Sequence, residues 1–485
     1  MKDRLKKLIN KLNARGAAYA DIRLHLNDQA ESFSTLNGEL QSYHQSKKQG
    51  YGIRVLADGA WGFASSENIE ELELIGLQAL ENAYKASLFI QQKIDLADKD
   101  VLNDSYSTPS RIDPFTLPGN QKIEQLLKLD NKLYHEKVLY RGVRACFYKR
   151  DILFVDTEGS EIEKNLLDVD ASMFVEAIDD QGHKQRRSYS LYQQNNGTVG
   201  FENIINAIQF DPTQRLIKEL LELLEAPNCE QEVCDVILLP EMMALQTHET
   251  IGHALELDRI LGYELSYAGG SHIDLEHFGQ LQFGSSKLNA RADGTVNNSP
   301  GSTGFDDDGV RAKNILMIEQ GMLKNAISSR QMIVEANNKA QREVFASSAA
   351  ANRAESYHHL PIERMNNINI DYGEDGTLED IIAKTQNGLL LETPKSWSIG
   401  SNRENFHFAT EVAWKIKNGR ISHMVKNATY QGDSLQFWHS LDQVGDKSTW
   451  QMQQVFNCGK GQPNQIMRMG HGVPICRFKN VQVGL

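Results

Sequence analysis

The sequence predicts an α+β protein in two parts: an N-terminal α/β domain over residues 1–230 and a β-rich, barrel- or sandwich-like domain over residues 231–485. Three observations carry that expectation. The chain has 485 residues, room for two or three domains at roughly 100–200 residues each. Its first 230 residues mix tight hairpin turns with amphipathic helices, the pattern of strands covered by helices. Its second half offers many short alternating runs separated by turn pairs, and only residues 240–257 and 328–339 read as long helices.

In the first part, Leu5, Leu8, Ile9 and Leu12 fall at helical spacing between charges, so the basic N-terminus is an amphipathic helix and not the apolar run of a signal peptide. Short strands follow at residues 18–26, 32–36 and 40–43, with Asn37-Gly38 as a hairpin turn. A second hairpin turns at Asp58-Gly59 between Tyr51, Ile53, Val55 and Trp61, Phe63, the last two read as core. Residues 67–88 repeat apolar positions at three and four, a packed helix. Residues 91–118 are rich in Asp, Ser and Pro and read as a loop or lid. Helices near 122–135 and 212–224 bracket strands near 138–155 and 168–177, and Pro227-Asn228 closes the domain. Beyond it, the pairs Gln320-Gly321, Asn387-Gly388 and Asn418-Gly419 mark turns between strands.

Composition narrows the function. Lys and Arg number 51 against 64 Asp and Glu, a net charge of −13, so no positive field gathers nucleic acid. No stretch approaches the roughly 18 apolar residues of a membrane span. Five cysteines, an odd number in a large chain, argue against a disulfide framework and for a reducing, cytoplasmic setting. In that setting Asn-x-Ser/Thr triplets such as Asn196-Gly197-Thr198 carry no glycosylation argument. Cys229 and Cys234 read as structural. Walker A, GxGxxG and GxSxG motifs are absent.

Chemistry concentrates after the apolar run Val233–Leu239. Pro240 suits the first position of a helix, which would present His248-Glu249-Thr250-Ile251-Gly252-His253. This H-E-x-x-x-H is one residue longer than the zinc-protease motif. On a regular α-helix, histidines five apart diverge by about 140°, so one metal takes both only if the turn widens into a π-bulge or the helix ends there. Gly252 eases either departure. Glu249 is then the natural base for a metal-activated water. The third ligand stays open among Glu256, Asp258, His272, His277, Cys458 and His471. Cys458 lies between Asn457 and Gly459-Lys460, where glycine allows close approach and the lysine favours thiolate.

These features resemble the TldD family of the TldD/PmbA (TldD/TldE) metallopeptidases. The resemblance rests on residues 238–258, on Gly304-Phe305-Asp306-Asp307-Asp308-Gly309, on Arg353-Ala354-Glu355-Ser356-Tyr357 running to Arg364-Met365-Asn366-Asn367, on Cys458-Gly459-Lys460, and on the first hairpin from Gly52 to Ser65. It implies zinc held by His248, His253 and Cys458, with Glu249 as base. It further implies short or unfolded peptide substrates and a dimer, either of two copies or with a related subunit lacking the motif. The stretch His253-Ala254-Leu255-Glu256-Leu257-Asp258 and the tail after Cys458 depart from the family pattern without touching the ligands. Asp306-Asp307-Asp308 stands open between a cation ligand, a group orienting a ligating imidazole and a plain acidic turn. His272 and His277 stand between a second metal site and solvated loop histidines, the commoner case beside Gly269-Gly270 and Glu276. Two rival functions stand beside peptide hydrolysis: a zinc-stabilised peptide-binding or assembly module, and a zinc amidohydrolase on a small amide.

Overall fold

Long strands dominate the N-terminal part of the computed structural model, which describes residues 1–191, 199–297 and 299–484; the Asn196-Gly197-Thr198 triplet lies outside the described residues. Helix α1 (Lys2–Ala14) buries Leu5, Leu8, Ile9 and Leu12. Strands β1 (Tyr19–Leu36) and β2 (Glu39–Ala57) form one long antiparallel hairpin in place of three short strands. The polar run 27–31, which breaks the apolar pattern, still pairs through its backbone on both sides, because a sheet ladder needs no apolar side chain. Asn37 and Gly38 turn it with φ of 52° and 88°. Asp58 and Gly59 turn β2 into β3 (Ala60–Ser66), and helix α2 (Leu72–Ser87) packs over it.

The segment 91–118 is not a lid. It contributes β4 (Asn103–Ser107), and helix α3 (Gly119–Lys132) leads to β5 (Tyr140–Asp156), β6 (Glu161–Ile178) and β7 (Lys184–Ser190). Strand β4 runs parallel to β6 at the sheet edge, a place open to a short polar strand. Just before it, the Lys99 ammonium meets the Asp156 carboxylate at 2.8 Å, and Arg330 Nε donates to the Ala97 carbonyl at 2.6 Å. The sheet order is β3-β2-β1-β5-β6-β4, with β7 also on β6. Helices α4 (Glu202–Phe210) and α5 (Thr213–Glu225) complete this part.

Strand β8 (Glu232–Leu238) opens a barrel in the second part. It pairs in parallel with Asn387–Ile399 and antiparallel with Cys476–Val483. The ladder continues through Thr429–Asp433 and Asn405–Lys417 back to Asn387–Ile399, closing five strands. The fold is therefore α+β with a barrel, not a sandwich. The apolar run of β8 follows from burial on both faces: Val236 and Leu238 join the main core with Phe408, Tyr430 and Phe478, while Ile237 packs with Ile381, Leu390 and Ile416. Gln320-Gly321 and Asn418-Gly419 turn at positive φ, but Asn387-Gly388 opens a strand. A Cβ on Gly388 would sit 2.6 Å from the Asp235 carbonyl oxygen, so that glycine serves a close strand approach.

Asp306-Asp307-Asp308 is neither an acidic surface turn nor part of a metal cluster, and it orients no ligating imidazole. The three side chains are buried against the basic face of the first sheet. Lys164 Nζ donates to Asp307 at 2.7 Å, and Arg54 donates to Asp308 at 2.7 Å and to Asp21 at 2.6 Å. Burial opposes ionisation of Asp307, but Lys164 and Arg23 outweigh it and hold the carboxyl below its ordinary range. Asp306 accepts the backbone N–H groups of Asp308 and Val310 at 3.0 and 2.9 Å. Asp307 and Asp308 tie the two parts of the chain together through ion pairs withdrawn from water.

Candidate metal centre

Helix α6 (Pro240–Thr247) begins with the proline at its first turn and is buried on all sides. Its sequence has no amphipathic stripe because it has no wet face. At His248 the helix widens into a π turn over His248–Gly252, and the His253 N–H donates to the His248 carbonyl five residues back. Thr250 supplies a local cause. Its hydroxyl donates to the Gln246 carbonyl at 2.6 Å and accepts from the Trp438 indole at 2.9 Å, and a hydroxyl bonded back to the i−4 carbonyl loosens the regular ladder. Gln246 is anchored in turn by the Tyr430 hydroxyl at 3.0 Å. Gly252 has ordinary helical angles (φ −55°, ψ −63°), so backbone freedom is not its use. A Cβ there would lie 2.2 Å from Met365 Sδ; the glycine makes room for a buried thioether.

The wider turn brings the imidazoles together, with ring centroids 4.7 Å apart and nearly perpendicular. His248, His253 and Cys458 place one ligand atom each within 4.8 Å of one another, all buried. The partners of the other ring nitrogens select those atoms. His253 Nδ1 lies 2.9 Å from Glu256 Oε2, leaving Nε2 3.4 Å from Cys458 Sγ. His471 Nδ1–H donates to the Ile368 carbonyl at 3.0 Å, which leaves His471 Nε2 as an acceptor. His248 Nδ1, 2.8 Å from that Nε2, must then carry the proton and donate it, so the lone pair of His248 is on Nε2. Burial pushes both His248 and His471 below the usual imidazole range, keeping them neutral. Two imidazoles and a thiol, each oriented from behind, suit a soft divalent ion.

Cys458 enters from a hairpin, Gln451–Lys460 with Gln465–Val473. A register shift between Val455 and Cys458 aims the thiol inward while Asn457 and Gly459 stay exposed. Lys460 does not act on the thiol as expected. Its ammonium donates to Asp258 and to the Glu363 carbonyl, both at 2.7 Å, and pairs with Glu256 at 3.3 Å. Gly459 likewise faces open space, so close approach is not its role. Burial raises the Cys458 thiol, but His253 and then Arg364 outweigh it and bring it below its ordinary range. Arg364 also donates to the Cys458 carbonyl at 2.5 Å. Nothing in the spacing of Arg364 marked this role.

The other candidate ligands are not in the cluster. Glu256 stands behind His253, and although burial opposes ionisation, Lys460, His253 and Arg259 hold its carboxyl well below the ordinary range. Asp258 belongs to the same Lys460 network. His471 stands behind His248. His272 bonds the Asn402 carbonyl at 3.0 Å, and His277 caps its own turn at Asp274. Glu249 is buried in the π turn, and among the described residues no side chain is bonded to its carboxylate. The five cysteines are all free.

The domain model for the PmbA/TldA metallopeptidase C-terminal domain matches residues 231–485, and that for metallopeptidase domain 1 matches residues 20–89. The chain belongs to the PmbA/TldD metallopeptidase family. Among similar proteins, a metalloprotease of Methanocaldococcus jannaschii is 26% identical over 88% of this chain and 89% of its own length. A metalloprotease TldD homolog of Haemophilus influenzae is 25% identical over 98% and 94%. A zinc metalloprotease TldD homolog of Saccharolobus solfataricus is 23% identical over 99% of both. The fold is that of a Thermotoga maritima protein described as a modulator of a DNA gyrase (TM-score 0.77, 16% identity, all of both chains) and of TldE from Thermococcus kodakarensis (TM-score 0.68, 14%, 99% of both). Among the described residues no helix is long and apolar enough to cross a membrane.

Proposed function

We propose that this protein is a zinc-dependent peptidase that hydrolyses short or unfolded peptides, with the ion held by His248 Nε2, His253 Nε2 and Cys458 Sγ. The observation that carries the reading is the π turn, which sets both imidazoles beside one thiol and leaves the intervening Glu249 carboxylate without a side-chain partner among the described residues. Three protein donors leave a coordination position open, as a catalytic site needs and a structural site does not. A zinc ion there would polarise the scissile carbonyl and acidify a water molecule. Glu249 would accept the proton of such a water and pass it to the leaving amine. His471 and Glu256 hold the two imidazoles in the required tautomers, and Arg364 fixes the Cys458 backbone.

Among the described residues the strand Gln451–Lys460 pairs with Gln465–Val473 and with no other strand. An extended peptide adding to its other edge would bond through its backbone and lie alongside Cys458, a recognition mode largely indifferent to side chains. The same reading includes the division of the chain at residues 230 and 231, a cytoplasmic setting, and a dimer formed with a second copy or with a related subunit lacking the metal motif.

The test compares wild type with Glu249→Ala on an unfolded polypeptide, with bound zinc measured in both. Glu249→Ala should keep its zinc and lose about 10²-fold or more in kcat, the usual worth of a positioned base. Equal cleavage by the two refutes the mechanism. Zinc in both with cleavage by neither, alone or with a candidate partner subunit, points to a peptide-binding module instead.

A further inference from the structure

Buried guanidinium groups in this chain are ordinarily accounted for. Arg259 pairs with Glu256, Arg54 with Asp21 and Asp308, and Arg330 with Glu158. Those without a carboxylate spend hydrogens on carbonyls: Arg353 on Met365, Pro300 and Arg468, and Arg364, whose Nε is unbonded, on Gln465 and Cys458. Arg403 also bonds only carbonyls, but more weakly. It is 9% exposed, and among the described residues no carboxylate stands within ion-pair distance of it. Its Nη2 donates to the Ala268 carbonyl at 3.0 Å, its Nη1 reaches the Gly400 carbonyl only at 3.5 Å, and its buried Nε donates to nothing. The adjacent Glu404 is turned away, accepting the Asn402 N–H at 2.9 Å.

The placement is imposed. Arg403 lies in the turn between the barrel strands Asn387–Ile399 and Asn405–Lys417 with φ +65°, a conformation that a non-glycine residue keeps only where its surroundings enforce it. The Ser434 hydroxyl pins its carbonyl at 2.6 Å. The Ala268 carbonyl that holds its guanidinium is also held by Arg259 Nη1 at 3.0 Å, and Arg259 bonds Glu256, the carboxylate behind His253. Arg403 is thus one carbonyl away from the support of the metal centre, and the acidic groups acting on it are Glu249, Glu256 and Cys458. A buried, backbone-locked cation with no carboxylate of its own, within the electrostatic reach of Glu249, is arranged for a further negative charge.

We propose that Arg403 is a catalytic residue of this site, donating from its weakly held Nη1 to the scissile peptide oxygen as that oxygen gains negative charge. The proposal rests on the peptidase reading above. It commits to the developing charge and not to a substrate's terminal carboxylate, and the two are separable.

The experiment takes full-length wild type, Arg403→Lys, Arg403→Met and Glu249→Ala, with one peptide as the free acid and as the C-terminal amide. Bound zinc and the Kd of a phosphinic peptide, which mimics the charged tetrahedral carbon, are measured alongside. Arg403→Met should keep its zinc and its KM, lose about 10²–10³-fold in kcat on both peptides, as loss of a preorganised donor does, and lose phosphinic-peptide affinity in parallel. Arg403→Lys should recover part of both. Unchanged kcat overturns the proposal. So does a rise in KM confined to the free acid, which makes Arg403 a terminal-carboxylate reader, and so does loss of zinc, which makes it structural. A wild type no faster than Glu249→Ala removes the peptidase reading and Arg403's role with it.

Discussion

Replacing His471 tests whether the site is set from behind. His471 is fully buried and acts through His248. Its ring offers one donor, spent on the Ile368 carbonyl at 3.0 Å, and one acceptor, spent on His248 Nδ1–H at 2.8 Å. In His471→Leu the acceptor is gone, and His248 Nδ1–H is left buried and unbonded. That costs about 1–3 kcal/mol and removes the bias that keeps the lone pair on Nε2. Loss of such an orienting partner weakens metal binding about 10–100-fold, or about 1.4–2.7 kcal/mol, within the same range. The assay is competition for zinc against a chromophoric chelator on purified protein, with no turnover involved. His471→Gln supplies the control, because its carbonyl oxygen can accept from His248 while its amide donates to Ile368. The expected order of zinc affinity is wild type, then Gln within about tenfold, then Leu about 10–100-fold below wild type. A Leu variant that holds zinc as wild type does, or a Gln variant as weak as Leu, refutes the relay.

Two further expectations follow from single contacts. Gly252→Ala puts a methyl group 2.2 Å from Met365 Sδ and should lower stability by about 1–3 kcal/mol, as overpacking does; in a urea double-mutant cycle Met365→Ala should recover part of that loss, and additive effects would show the clash is not the cause. Glu241, in the first turn of α6, is pushed up to about 7 by burial and by Glu392. A carboxyl raised in the folded state stabilises fully below its unfolded value near 4.5 and loses that contribution as pH rises through 7. Relative to Glu241→Gln, wild type should therefore lose about 3 kcal/mol between pH 4.5 and 7.5, read from urea midpoints; parallel curves would contradict it.

How far the sequence reaches depends on whether a feature is local. The turns at Asn37-Gly38 and Asp58-Gly59 need positive φ and declare it in their own residues, as does the helix start at Pro240. The π turn is also legible, because two histidines five apart cannot share an ion on a regular helix. Asn387-Gly388 carries the same residue pair as a turn yet opens a strand, since its glycine answers to the Asp235 carbonyl across a parallel pairing that lies about 150 residues back. Lys460 sits two residues from Cys458 and acts elsewhere, on Asp258 and Glu256, because alternate residues of a bulged strand need not share a partner. Asp306-Asp307-Asp308 reads as surface by composition, and only the basic face of the first sheet, made from Arg23, Arg54 and Lys164, turns it into an interior joint. The same gap hid Glu256 and His471, which were candidates as ligands and stand instead behind the ligands. Distance along the chain gives no sign of which atom of an imidazole is already taken.

Charge balance connects the donor set to the arginines around it. A thiolate gives an ion more charge than an imidazole does, and on this reading it softens the pull on a substrate carbonyl. Glu249 and Glu256 add further negative charge, so a site with these groups alone would resist the oxyanion that peptide hydrolysis builds. The cations nearby are not interchangeable in answering that. Lys460 and Arg259 are engaged by Asp258 and Glu256, and their fields are largely cancelled at short range. Arg364 gives its hydrogens to two carbonyls and serves the thiol from behind. Arg364 and Arg403 both lack a carboxylate and both leave Nε unbonded, but of the two only Arg403 has an Nη group without a close acceptor, so donation to the oxyanion falls to it. If that division of labour holds, Cys458→His should partly relieve the need for Arg403, and Arg403→Met should cost less kcat in the Cys458→His background than in wild type. Equal losses in both backgrounds would mean that thiolate and guanidinium act independently.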